Sequence, residues 1–174
     1  MGQKILVVVD MQNDFIDGAL GTKEAAAIVP RVAEKIRNFQ GNIIFTRDTH
    51  EAEYLETQEG HKLPVPHCIR QTAGWELNPE IAAWTGRGEV IDKPSFGSVR
   101  LGELLRKKNE EEPVERITFV GLCTDICVIS NAMIAKAFLP EVVMEVDASC
   151  CAGVTPESHE RALQAMAACQ IEIR

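Results

Sequence analysis

The chain has 174 residues, 18 basic against 26 acidic side chains, a formal charge of -8, and a composition that is 45% hydrophobic and 5% aromatic. Its length, a little above the ~100–150 residues of a typical domain and without a break in composition, predicts one domain over residues 1–174. The acidic balance argues against nucleic acid or an anionic membrane as a partner, because either repels a surface that lacks a basic patch. A small neutral or cationic ligand fits better. No apolar run approaches the ~20 residues that cross a bilayer. The N-terminus enters a strand-like run without a secretory pattern, and Leu6 stands where a myristoylation motif opening on Met1-Gly2 needs Ser or Thr. The expected compartment is the cytoplasm. Six cysteines, at 68, 123, 127, 150, 151 and 169, make no disulfide framework in a chain of this size, and no Cys-x-x-Cys occurs, so most are expected as reduced thiols.

Ile5 to Val9 is an unbroken β-branched and Leu run, the pattern of a strand covered on both faces, and it ends at Asp10. Ile28, Val32, Ile36 and Phe39 then recur at helical spacing, and Gly41-Asn42 supplies a stop. Further strands are expected at Ile43–Phe45, Glu89–Ile91, Ile117–Val120, Val142–Val146 and Ile171–Ile173. Helices are expected at Val99–Lys108, Asp125–Phe138 and Pro156–Cys169, the last with Thr155 as N-cap and Pro156 at its first position. The charged stretch Asn109 to Pro113 reads as a solvated turn. Strands alternating with helices predict a three-layer α/β/α fold with a six-stranded parallel sheet and right-handed crossovers. The interval Asp48 to Trp75 has no sustained period, and loops of that length are often binding loops or lids.

Ligands of open parallel sheets bind outside the carboxyl ends of the strands. There this sequence places Asp10, Asp48, Lys93 and the Gly121–Cys127 turn. Cys127 opens a helix, where unpaired N–H groups and the dipole favour a thiolate. Cys68, Cys150, Cys151 and Cys169 read as packing residues, and the spacing of Cys123 from Cys127 does not indicate a redox pair. Asp48, His50 and His67 offer a carboxylate and two imidazoles, a set that suits zinc, or iron or manganese. His61 is a substitute ligand or a bystander, and His159 is expected at the surface.

Val7-Val8-Val9-Asp10-Met11-Gln12-Asn13-Asp14-Phe15, Asp48-Thr49-His50, Pro64-Val65-Pro66-His67-Cys68, Lys93, and Gly121-Leu122-Cys123-Thr124-Asp125-Ile126-Cys127-Val128 occur in that order over nearly the whole chain. This ordered set resembles the isochorismatase-like cysteine hydrolases, nearest their nicotinamidase branch. The resemblance implies a catalytic Asp10–Lys93–Cys127 triad and a cis peptide at Leu122–Cys123. It implies an oxyanion hole from the amides of Cys123 and Cys127, and a divalent metal, zinc before iron or manganese, on Asp48, His50 and His67. It also implies Phe15, and more weakly Trp75, beside a small amide substrate, and a homo-oligomer. Family members that cleave a vinyl ether lack the nucleophilic cysteine. Thr49, where nicotinamidases commonly carry Trp, leaves substrate identity open. The alternatives are a metal-independent carbamoyl or ureido amide hydrolase, a Cys–His hydrolase with His50 or His67 as base, and a non-catalytic metabolite-binding module.

Overall fold

The computed structural model describes residues 2–174. Met1, part of the lipidation signal weighed above, lies outside the described residues. The chain runs β1 (Gln3–Val9), α1 (Asn13–Ile16), α2 (Lys23–Asn38), β2 (Asn42–Asp48), α3 (Gln58–Lys62), α4 (Pro79–Ala82), β3 (Gly88–Lys93), α5 (Val99–Glu111), β4 (Val114–Leu122), α6 (Ile129–Phe138), β5 (Val143–Ala152), α7 (Pro156–Ala168) and β6 (Glu172–Ile173), with a wide π-type turn at Thr124–Val128 between β4 and α6. The strands form a six-stranded sheet in the order β3-β2-β1-β4-β5-β6, with every pairing parallel. This is the expected α/β fold.

The unbroken apolar run of β1 has a direct structural cause. Successive side chains of a strand point to opposite faces. Ile5, Val7 and Val9 therefore join one core with Leu101 and Leu105 of α5, Ala132 of α6 and Met166 of α7. Leu6 and Val8 join a second core with Ile28, Val32 and Ile36 of α2. Helices thus cover both faces, and each fully buried aliphatic side chain contributes about 1.5–3 kcal/mol. Thr155 caps α7 through its hydroxyl, accepting from Ser158 N–H, with Pro156 next in line as expected.

Three local expectations differ from the structure. Helix α5 continues through Asn109 to Glu111, so the charged stretch is its solvated last turn, and the Asn109 carboxamide then accepts from Val114 N–H at 2.9 Å. Strand β5 extends past Val146 to Ala152, because an irregularity in register lets Cys151 and Ala152 pair with Gly121 and Leu122 of β4. Cys169, read as packing, is exposed, whereas Cys68, Cys150 and Cys151 are buried.

Candidate active site

The strand order reverses between β1 and β4, and the crevice at the carboxyl ends of such a switch point is where ligands bind. Asp10 follows β1 with φ of 47°, a left-handed conformation that Asp tolerates better than most residues. Asp48 closes β2 and stands in register with Lys93, which closes β3. Cys127 sits on the π-type turn after β4. At the base of that turn Gly121 has φ of 116°, and a Cβ there would collide with the backbone of Val9. Only glycine allows β4 to press against β1 and deliver the turn. The Leu122–Cys123 peptide is cis, as the resemblance implied.

Asp10, Lys93 and Cys127 converge in a fully buried cluster. Lys93 Nζ lies 2.7 Å from Asp10 Oδ2, 3.3 Å from Cys127 Sγ and 3.7 Å from Asp48 Oδ1, and it donates to the Ser95 carbonyl at 3.1 Å. Thr46 Oγ1 donates to Asp10 Oδ1 at 2.7 Å and fixes the carboxylate plane. Asp10 Oδ2 has the Lys93 ammonium as its partner in a charge-assisted contact. Burial raises the Asp10 carboxyl above the ordinary range, and the Lys93 charge opposes that rise without cancelling it. For Lys93, burial pulls the ammonium down, but Asp10, Cys127 and Asp48 raise it well above its ordinary value, so it stays charged.

The Cys127 thiol is pushed well above its ordinary value, first by burial and then by the Asp10 charge, against the pull of Lys93. This reverses the sequence expectation of a thiolate at a helix start. Desolvation at 3% exposure outweighs a dipole effect that falls off within one turn. The cysteine therefore rests as a thiol beside a carboxylate able to take its proton. His50 and His67 are turned instead toward Asp48, and the side chains that bond with Cys127 Sγ are those of Lys93 and Asp10, which speaks against the Cys–His alternative.

Asp48, His50 and His67 meet as expected, and Glu59 of α3 joins them. Asp48 Oδ2 lies 3.0 Å from His50 Nε2 and 3.6 Å from His67 Nε2, while Glu59 Oε1 lies 3.6 Å from each imidazole. Tetrahedral ligands at ~2.0–2.1 Å from a metal stand about 3.3 Å apart, so these spacings match the edges of a coordination polyhedron. His67 Nδ1–H donates to the Val65 carbonyl at 2.8 Å, which fixes the ring with Nε2 facing the cluster. Asp48 Oδ1 is buried without a hydrogen-bond partner. The donor set of two imidazoles and two carboxylates fits a divalent metal. Burial alone would raise Asp48, but hydrogen bonds from both imidazoles and the Lys93 charge hold it below the carboxylate range. Burial pushes Glu59 up.

The sequence reading missed Glu59. Its signal was the Thr57 hydroxyl, which caps α3 by accepting from Gly60 N–H and so turns Glu59 inward from an aperiodic loop. His61 is exposed and outside the cluster. Gln12, also unremarked, is fully buried; its carboxamide accepts from Asp48 N–H at 2.7 Å and donates to the carbonyls of Asp48 and Trp75. It locks the end of β2 to the end of β1.

A cavity of about 340 Å³ opens onto these groups, with Cys127, Cys123 and Phe15 in its wall beside Asp48, Glu59 and His67. The Phe15 ring in this wall lies 5.5 Å from that of His67. Trp75 does not line the cavity. Its indole N–H donates to Thr49 Oγ1 at 2.8 Å and its face carries the Arg47 guanidinium at 3.7 Å, so it supports the loop behind the histidine–carboxylate cluster. His159, expected at the surface, is half-buried and bonded through Nδ1 to Thr124 Oγ1 at 2.8 Å.

A doubly covered parallel sheet that carries a cysteine, a carboxylate and a lysine at its switch point, beside a histidine–carboxylate cluster, defines an α/β protein with the parts of a nucleophilic enzyme. The chain belongs to the isochorismatase family, whose domain description matches residues 4–174. Its fold superposes with a TM-score of 0.84 on a pyrazinamidase of Pyrococcus horikoshii crystallised in complex with zinc, at 30% identity over 99% of this chain and 98% of that one. A pyrazinamidase/nicotinamidase of Streptococcus mutans superposes with a TM-score of 0.83, at 28% identity over 98% and 99%. The nicotinamidase/pyrazinamidase of Mycobacterium tuberculosis is 24% identical over 98% of this chain and 97% of its own length.

Proposed function

We propose that this protein is a metal-assisted cysteine amidohydrolase of the nicotinamidase type, which converts nicotinamide or a related small amide to the acid and ammonia. The observation that carries this reading is one cavity that presents Cys127, backed by Asp10 and Lys93, together with the Asp48–His50–Glu59–His67 cluster. The family and the relatives named above support it.

Asp10 takes the proton of Cys127 as the sulfur attacks the amide carbonyl carbon. Lys93, buried between the two, compensates the negative charge that passes from carboxylate to thiolate, and this makes the transfer feasible in a site that otherwise penalises a bare thiolate. The amides of Cys123 and Cys127 receive the oxyanion, each donor worth about 3–4 kcal/mol in comparable acyl-transfer sites. Asp10 returns the proton to nitrogen, ammonia leaves, and a Cys127 thioester remains. Asp10 then draws a proton from an entering water, which attacks the thioester and frees the acid and the thiol. Asp48, His50 and His67, with Glu59 as a fourth donor, would hold a divalent metal, zinc being the first choice, which when bound supplies a Lewis-acid position for a ring nitrogen. Phe15 packs beside the ring.

No helix among the described residues is long and apolar enough to cross a membrane. The reading includes a cytoplasmic location, supported by six unpaired cysteines, and self-association, as the resemblance implies. An ammonia-release assay over nicotinamide, pyrazinamide, carbamoyl and ureido amides tests the function. Turnover of the pyridine or pyrazine amides ahead of the ureido amides agrees with it, and the reverse order assigns the protein to the metal-independent side of the family.

A further inference from the structure

The catalytic cavity does not end at Phe15. A second cavity of about 280 Å³ shares with it the side chains of Phe15, Leu20, Leu63, Cys123 and Ile126, and continues between Ala25 at the start of α2 and Gly153-Val154 after β5. The two spaces differ in chemistry. Asp48, Glu59 and His67 line only the first, whereas no charged side chain lines the second. The hydroxyl of Thr22, the polar group at its edge, is already engaged in accepting from Ala25 N–H at 3.0 Å. A ligand seated at Cys127 against Phe15 therefore borders this uncharged space through the shared walls of Phe15 and Cys123. An uncharged space adjoining a reactive one gains free energy from apolar surface and loses it with polar groups it cannot satisfy.

We propose that the preferred substrates are ring amides bearing an apolar substituent, which this annex between Ala25 and Val154 receives, and that unsubstituted nicotinamide fills only part of the site. The inference rests on the amidohydrolase reading above and narrows its substrate class. Val154 is half exposed at the annex rim and takes no part in the catalytic cluster, so it can be enlarged without disturbing the core.

The test compares nicotinamide with its methyl, ethyl and propyl derivatives at ring carbon 4 or 5, the two free carbons not bonded to the ring nitrogen. Wild-type protein and Val154→Trp are assayed for ammonia release, with thermal midpoints recorded for both. In one of the two series kcat/KM is expected to rise about fourfold for each buried methylene. Val154→Trp should abolish that rise and leave nicotinamide turnover unchanged. Ala25→Leu, which fills the annex from the opposite side, should reproduce the effect. If both alkyl series fall below nicotinamide in the wild type, or if the rise survives both substitutions, the annex is not a substrate subsite and the inference is overturned, while the amidohydrolase reading stands. If neither nicotinamide nor any derivative releases ammonia, both are overturned.

Discussion

Lys93→Met removes the charge on which the buried cluster depends, while keeping a side chain of similar length. In the native protein the ammonium is fully buried, 2.7 Å from Asp10 Oδ2 and 3.7 Å from Asp48 Oδ1. Asp48 retains its two imidazole partners, but Asp10 is left with the Thr46 hydroxyl alone. Deleting one partner of a buried pair costs about 3–5 kcal/mol, because the remaining charge is neither solvated nor compensated. At ~2–4 °C per kcal/mol for a chain of this size, the thermal midpoint should fall by roughly 6–20 °C. The double variant Asp10→Asn, Lys93→Met removes both charges and should recover much of that loss, the non-additivity expected of directly coupled neighbours. The sign with pH is also fixed. Burial already raises the Asp10 carboxyl in the native protein, and loss of Lys93 raises it further. Its folded-state value then exceeds the unfolded one, so the deficit of Lys93→Met is largest at neutral pH and narrows as pH falls toward 4 and the acid takes up a proton. Urea denaturation at pH 7.5 and pH 5 measures this. A loss below about 1 kcal/mol, or a double variant no more stable than the single one, would refute the argument that Lys93 holds a buried carboxylate in place.

His67→Ala should lose bound metal, measured by elemental analysis after gel filtration, and Glu59→Gln should weaken retention without abolishing it. Unchanged content in both variants would contradict the cluster assignment. Asn131→Leu should cost about 2–4 kcal/mol in urea denaturation, since its buried carboxamide accepts from Ser98 N–H and donates to the carbonyls of Phe96 and Cys127, leaving several groups unsatisfied when removed. For the partly exposed pair Lys35–Asp147, at 2.8 Å, solvent screening limits the contribution to at most about 1 kcal/mol. Burial raises Asp147, but the hydrogen bonds from Lys35 and Ser149 depress it overall, so that contribution is present above the ordinary carboxylate value and disappears as pH falls through the depressed one. The stability difference between wild type and Lys35→Met should accordingly be level near neutrality and close in acid.

The parts of the fold and site that were legible in the sequence share a physical cause. Strands β1 and β4 are buried on both faces, so their apolar runs needed no periodicity to be read, and the polar residues that ended the strands marked the edge that carries the candidate site. Asp10, Asp48, Lys93 and Cys127 were found in this way, each within a few residues of a strand end. What escaped was set by contacts distant in sequence. The inward turn of Glu59 depends on the Thr57 cap inside an aperiodic loop. Trp75 was set beside the substrate by the resemblance alone, and the contacts with Thr49 and Arg47 that hold it behind the cluster have no local signal. His159 sits on a polar helix and gave no sign of its bond to Thr124. The second half of β5, Asp147 to Ala152, mixes polar and thiol side chains, and its strand character comes from pairing with Gly121 and Leu122. The thiol state of Cys127 likewise depends on a degree of burial that no local pattern reports.

The most direct test of the central claim is ammonia release from nicotinamide by purified protein, with bound metal quantified in the same sample and Cys127→Ala measured beside it. The substitution removes one sulfur atom from a well-packed turn and should leave the fold intact at a cost of about 1 kcal/mol. The account predicts turnover by the wild type and a loss of at least about 10⁴-fold in the variant, with metal content unchanged. Turnover that persists in Cys127→Ala would contradict the assignment of Cys127 as nucleophile and, with it, the thioester route.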